Sequence, residues 1–318
     1  MLIRGIFALA AGALALAGLK TGALAADAPA PPLRFALIAT EASSEVQAKW
    51  TPVLDALACH LGRSVVAEVS ADYAGAIWAL RNGRAQLAWL GNKAALEAVD
   101  HAGAEVFAQH VYPSGLGGYY STLIVRTSSS LASADDLIAQ ATGLTLAMGD
   151  PNSTSGTLVP GHYLFASRSI EPRRVFKRVI QGSHEDNVHS LLEGRADAAT
   201  VASVHLDGLL RRRPELANAF RVIWRSPLIP ADPLLWGSSL PAEAKAQVKA
   251  FFLDYGRPAV HKSVDVMAAE QAALKRLDLS GFIASDNGQL AMVKDLEQAR
   301  RRMAEVKHSS TTGKEGAP

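Results

Sequence analysis

The chain has 318 residues, a formal net charge of +2, 49% hydrophobic composition and a single cysteine, Cys59. A charge this close to neutral provides no basic surface for nucleic acid or an anionic membrane. Cys59 can form no internal disulfide, and the apolar helical pattern around it predicts a small buried hydrophobe.

At the N-terminus, Arg4 precedes an apolar stretch from Gly5 to Leu19 that is too short to span a bilayer comfortably and is interrupted by Lys20. Ala23-Leu24-Ala25 follows as a small-x-small cleavage pattern. These features predict a signal peptide over 1–25 rather than an uncleaved anchor, and a mature protein outside the cytoplasm. No cysteine stands beside the cleavage site to carry a lipid. Removing Arg4 and Lys20, with no acid in that segment, takes the net charge from +2 to 0. Residues 26–32 form a proline-rich leader.

From Leu33 the pattern alternates. Strands are expected at Leu33–Ala39, Ser64–Ser70 and Ala85–Leu90, each followed by a helix: one opened by Thr51-Pro52, one from Asp72 to Asn82, one from Asn92 to Ala102. Two strands, Glu105–Val111 and Tyr119–Arg126, flank a glycine-rich turn. A second set comprises strands at Leu144–Met148, Phe176–Gln181, Ala196–Ala202 and Phe220–Arg225, with helices from Ser153 to Ala166 and from Ser183 and Ser203. Leu234–Trp236 crosses back, and closing helices span Pro241–Tyr255 and Gln289–Val306. The order predicts an α/β fold of two lobes, each a mostly parallel sheet flanked by helices, joined by two hinge crossings near Arg126 and Ser226. The first lobe takes 33–126 with 232–306, the second 127–231, and 307–318 is a polar tail expected to be disordered.

The strongest site signal is the segment Gly149-Asp150-Pro151-Asn152-Ser153-Thr154-Ser155-Gly156 between a strand and a helix. The first N–H groups of a helix lack intrahelical partners and carry the positive end of its dipole, so they suit an anion. Three consecutive hydroxyls add donors. An ordinary N-cap would use the same residue types. The segment is not a Walker A loop, since it lacks the Gly-Lys-Ser/Thr ending.

The segments DYAGAI, AWLGN, AVD, VFAQ, GYYS, GDPNSTSG, LVPG and WRSPLIPADP, in this order across about Leu33 to Gly256, resemble the phosphonate-binding proteins of ABC importers, the PhnD type. The resemblance implies a type II periplasmic binding protein fold, a periplasmic location, a phosphonate or phosphite ligand, and an inner-membrane permease and its ATPase as partners, with no cofactor or metal. It implies ligand-binding roles for Ser153, Thr154 and Ser155, for the Tyr73 and Tyr119 phenols, for the His184 imidazole and for the Asp232 carboxylate. One match fails. Where aminoethylphosphonate-binding members carry a glutamate for the ligand ammonium, this chain has Val204, and Val201 and Ala202 replace asparagines before it. Val204 is thus the expected specificity residue, with phosphite or methylphosphonate held at least as well as 2-aminoethylphosphonate.

Each residue also has an ordinary role open to it: Tyr73 and Tyr119 as packing aromatics, His184 as a helix cap, Asp232 as a turn residue. His184 and His189 stand five apart, about 140° around a helix, unlike the about 40° of a zinc-protease pair. Arg211, Arg212 and Arg213 read as a solvated helix end or a permease contact, and Trp78, Trp89, Trp224 and Trp236 as core or interface packing. Three other readings stand beside the phosphonate one: a phosphate binder of the same fold, a sensor ectodomain, and an enzyme on a two-lobed scaffold. The last finds no base-activated nucleophile, metal spacing or dinucleotide glycine pattern to support it.

Overall fold

The computed structural model describes residues 31–312, with side chains described as far as residue 303, so the expected signal peptide and most of the leader lie outside the described residues. The chain opens with β1 (Leu33–Ile38), α1 (Ser43–Leu61), β2 (Val65–Ser70), α2 (Tyr73–Arg81), β3 (Leu87–Trp89), α3 (Asn92–Ala102) and β4 (Glu105–Val111). A two-residue strand, β5 (Gly118–Tyr119), leads to β6 (Ser121–Arg126), α4 (Ala134–Ala139) and β7 (Thr145–Met148). Two π-helical turns follow, Thr154–Leu158 and Gly161–Phe165, then α5 (Pro172–Val175), β8 (Arg178–Gln181), α6 (His184–Leu192), β9 (Ala198–Ala202), α7 (Ser203–Arg212) and β10 (Phe220–Arg225). The chain returns through β11 (Ile229–Pro230) and β12 (Pro233–Trp236) to α8 (Ala242–Asp254), α9 (Val264–Arg276), β13 (Gly281–Ala284) and α10 (Ala291–Thr312).

The strands form two sheets, β13-β4-β12-β3-β1-β2 and β10-β6-β9-β7-β8, with β5 and β11 paired separately between them. In each sheet three adjacent strands run parallel, β2-β1-β3 and β8-β7-β9, and the next is antiparallel. That antiparallel strand, β12 or β6, is the one the chain inserts on arriving from the other lobe. The two lobes therefore repeat one topology, and the β5–β11 pair is the hinge.

This corrects the expected boundary. Ser121–Arg126 belongs to the second sheet, where it pairs with β9 and β10, and the crossings lie at Gly118–Ser121 and Ser226–Pro230. The second sheet is covered on both faces. Leu123 and Val125 enter one hydrophobic cluster, with Leu137, Leu164 and Phe165, and Ile124 enters another, with Val188, Leu191 and Val201. This is the period-two alternation of a strand with helices on both sides. In the first lobe Phe35, Trp50, Phe107, Phe252 and Phe282 are fully buried.

Other expectations fail for local reasons. Helix α1 begins at Ser43 and carries Pro52 in its interior, because Val46, Trp50, Val53, Leu54 and Leu57 make one buried face that outweighs a missing backbone donor. The Thr51 hydroxyl donates to the Gln47 carbonyl at 2.8 Å in that turn. Cys59 lies on the outer face of this helix and is exposed, not buried. Trp78 is 51% exposed, with the Arg84 guanidinium 5.6 Å from its ring, instead of packing in a core. Helix α9 and strand β13 had no counterpart in the sequence pattern. Helix α10 continues to Thr312, past the point where a disordered tail was expected.

His110 on β4 is 4% exposed and is enclosed by Trp50, Trp89 and Phe282, with ring centroids 6.0, 5.7 and 5.6 Å away. Burial lowers its pKa from 6.5 to about 3. The unfolded chain therefore takes up a proton that the folded state refuses, and this contribution to stability is lost as pH falls from 6.5 towards 3. His110→Phe is expected to flatten that slope: between pH 7 and pH 4 wild type should lose about 3 kcal/mol more than the variant. Urea unfolding at the two pH values measures the difference, and equal losses would contradict it.

Candidate functional site

The C-terminal ends of the parallel strands of both sheets face each other across the cleft, where open α/β sheets carry their ligands. Five helical N-termini meet there, those of α2, α3, the first π-turn, α6 and α7. Tyr73, Gly91, Ser153, Thr154, Ser155 and His184 line a small cavity of ≈ 10 Å³ between them, closed off by Tyr119, Val204 and Asp232. Its lining contains no lysine or arginine.

The first π-turn is the centre of the second-lobe wall. Leu158 N–H donates to the Ser153 carbonyl at 3.1 Å, an i→i−5 bond that widens the turn and leaves more leading N–H groups free than an α-helix would. Ser153 Oγ accepts from Gly156 N–H at 3.0 Å and Thr154 Oγ1 accepts from Lys93 N–H at 2.9 Å. Each hydroxyl thus has a lone pair committed and its O–H left to turn into the cavity. Ser155 is held through its own carbonyl, which accepts from Ser121 Oγ at 2.6 Å. The turn depends on two glycines: a Cβ on Gly149 would stand 2.7 Å from the Gly156 Cα, and one on Gly156 equally close to the Gly149 Cα.

His184 is the first residue of α6, after the Ser183–Asp186 capping box. Its Nδ1 accepts from Ala202 N–H at 3.4 Å, which assigns the ring proton to Nε2. The ring stacks on His205 at 4.8 Å. Burial, reinforced by His205, holds its pKa well below the usual value, so the imidazole is a neutral donor.

From the first lobe, the Tyr73 phenol lies beside the Ser153 hydroxyl, and burial raises its pKa, so it stays protonated. Tyr119 donates to Asp232 Oδ1 at 2.9 Å. That hydroxyl is thus committed to the carboxyl group, a connection the sequence had not suggested. Asp232 sits between β11 and β12, 6% exposed. Burial raises its pKa from 3.8 to about 7, against the lowering effect of Tyr119 and of the Trp89 indole N–H that faces it. Val204, second residue of α7, presents its methyls to the same space.

The structure therefore gathers all eight residues singled out in the sequence around one cavity. Sequence reasoning gave no role to Thr40 or Gly91, which share its lining with His205, and gave Trp89 no part at the site. The lobes are closed on one another: Tyr73 N–H donates to Asp150 Oδ2 at 3.3 Å, Ala42 N–H to Glu185 Oε2 at 3.1 Å, and Lys93 Nζ to Asn152 Oδ1 at 2.7 Å. Arg211 and Arg212, at the exposed end of α7, pair with Asp278 on the opposite lobe.

A family model described as the ABC-transporter phosphonate periplasmic substrate-binding protein matches residues 35–290. The chain is 40% identical over 264 residues to the phosphonates-binding periplasmic protein of Escherichia coli, spanning 83% of this chain and 75% of that one. It superposes with a TM-score of 0.80 and 41% identity on a binding protein component of an ABC phosphonate transporter from Pseudomonas aeruginosa, over 86% and 87% of the two chains. It shares its fold, at a TM-score of 0.74 and 18% identity, with PhnD1 from Prochlorococcus marinus in complex with methylphosphonate, over 85% and 98% of the chains.

The raised pKa of Asp232 has a consequence in the absence of ligand. The folded state retains a proton that the unfolded chain releases, so this contribution is fully present below about pH 4 and is lost as pH rises through 7. Asp232→Asn, which cannot ionise, should gain stability relative to wild type from pH 4 to pH 8, by up to about 4 kcal/mol. Denaturant titrations across that range check it, and a constant difference would show that Asp232 ionises normally.

Proposed function

The chain belongs to the family of periplasmic substrate-binding proteins of phosphonate ABC transporters, and on that premise we propose that it captures a phosphonate or phosphite as a monoanion. The lobes close over the ligand, and the closed form is recognised by an inner-membrane permease that works with its ATPase. The N-terminal 25 residues direct the chain to the periplasm.

The observation that supports this ligand class is an anion cage with neutral donors and one buried carboxyl. The hydroxyls of Ser153, Thr154 and Ser155, the Tyr73 phenol, His184 Nε2–H and the free N–H groups of the π-turn can surround two or three oxygens on phosphorus. Bonds of this kind to a charged group contribute about 1.5–3 kcal/mol each. Micromolar capture needs about 8 kcal/mol, so four or five are enough after ordering costs.

Asp232 would repel a dianion but accepts a hydrogen bond from a P–OH group, and sulfate, which carries no such proton, is refused. Proton and charge are thus read together. Tyr119 holds the carboxyl in place from behind.

Ser155→Ala should weaken methylphosphonate or phosphite binding by about 1.5–3 kcal/mol with the fold intact. Titration calorimetry on the mature protein tests this, and an unchanged affinity in a folded variant would refute the site. The shared proton yields a second expectation. Above neutrality Asp232 and the ligand both lose it, so wild-type affinity should fall, approaching about tenfold per pH unit. In Asp232→Asn the amide can donate to a dianion, so that fall should disappear and sulfate should become a ligand. Parallel pH profiles in the two proteins would overturn the shared-proton reading.

A further inference from the structure

Beside the anion cage lies a second, larger chamber of ≈ 50 Å³, continuous with it through Thr40, Val204, His205 and Asp232. A cavity needs about 10–15 Å³ on this measure to hold one water-sized group, so the chamber has space for about three or four. A hydrogen or methyl on phosphorus would leave most of it unfilled.

Three residues of its wall, Thr40, Trp89 and His110, are 2%, 8% and 4% exposed. Among the described residues, Thr40 Oγ1 and His110 Nε2 are buried with no hydrogen-bond partner, and Trp89 Nε1, which faces Asp232, closes no hydrogen bond of normal geometry to it. Leaving such groups unpaired is costly, and native structures seldom do so without a reason. Apart from Asp232, the charged side chains of the wall are already matched: Glu41 with Lys49 and with Arg212 at 3.5 Å, and Arg212 with Asp278 at 3.0 Å.

The three orphan groups define what can satisfy them. An indole N–H only donates, a hydroxyl both donates and accepts, and a neutral imidazole offers one of each. An ammonium, which only donates, would face the Trp89 N–H unfavourably, and of the carboxyls in the wall Glu41 and Asp278 are already paired with cations while Asp232 is the group that meets the P–OH. A carboxylate would add a second negative charge beside Asp232. A methyl or ethyl group satisfies none of them. A hydroxyl can accept from the indole while donating to Thr40 or His110.

Resting on the phosphonate reading above, we propose that this chamber is a substituent subsite selecting phosphonates that carry an uncharged hydroxyl two carbons from phosphorus, with Thr40, Trp89 and His110 as its hydrogen-bonding wall. The subsite adds to the expectation drawn from Val204: an ammonium loses, but so does a bare methyl.

The test is competition calorimetry on the mature protein with methylphosphonate, ethylphosphonate, 2-hydroxyethylphosphonate and 2-aminoethylphosphonate. 2-Hydroxyethylphosphonate should bind at least tenfold more tightly than either ethylphosphonate or 2-aminoethylphosphonate. Thr40→Val, and separately Trp89→Phe should one variant fold poorly, should cut the hydroxyethyl-to-ethyl affinity ratio at least fivefold. Taking the ratio within each variant removes any general loss of affinity. If methylphosphonate binds but the wild-type ratio is near one, or the ammonium ligand is tightest, the chamber proposal fails and the phosphonate reading stands. If the variants leave the ratio unchanged, the orphan groups are not the readers and the proposal fails. If no phosphonate binds, both fall.

Discussion

One buried carboxyl organises this site. Asp232 lies where the hinge strand β11 gives way to β12, so its backbone is tied to both the crossing and the first sheet: the His110 N–H donates to its carbonyl at 3.0 Å. Removing a carboxylate from water is costly without compensation, and here the compensation is one phenolic hydrogen bond from Tyr119 and a pKa shifted to about 7. The group is therefore poised to share a proton rather than to hold a fixed charge. The absence of cations from the cavity lining follows the same logic, because a lysine or arginine there would pair with Asp232 and return it to the ionised form.

Attraction for the anion must then come from oriented backbone and hydroxyl dipoles. Such dipoles act strongly only when they are fixed and dry. The structure fixes them by committing the lone pairs of Ser153 and Thr154 to backbone donors and by anchoring Ser155 through its carbonyl. The Gly149–Gly156 contact permits the wide π-turn that leaves additional N–H groups unpaired. The bond from Lys93 N–H to Thr154 Oγ1 also crosses between the lobes. Lys93 itself directs its ammonium away, to Asn152 and to Glu297 at 3.6 Å, beneath 10% exposure at either charged partner.

The lobes share a topology and exchange one strand each. The inserted antiparallel strands β6 and β12 make each sheet depend on the other lobe's chain path, while the two-residue β5–β11 ladder ties the two crossings to each other. That ladder is only two residues long, whereas the second sheet is covered by hydrophobic clusters on both faces.

Much of this was legible along the chain. Alternating strand and helix patterns established two α/β lobes, because short-range periodicity and turn chemistry are local properties, whereas Gly149 to Gly156 by itself read equally as an anion site or an ordinary helix cap. The eight site residues came from family motifs that each span a few residues. Other features were decided only by tertiary contacts. Ser121–Arg126 reads as a strand in either lobe, and only pairing with β9 places it in the second sheet. Pro52 reads as a helix start until Val46 and Trp50 are seen buried ahead of it. Trp89 reads as core packing until its indole nitrogen is found beside Asp232, from a strand about 140 residues away in the chain. The sequence names the donors of the cage, but whether a polar atom finds a partner depends on which distant segments the fold brings to it, and that is a property of the packed lobes alone.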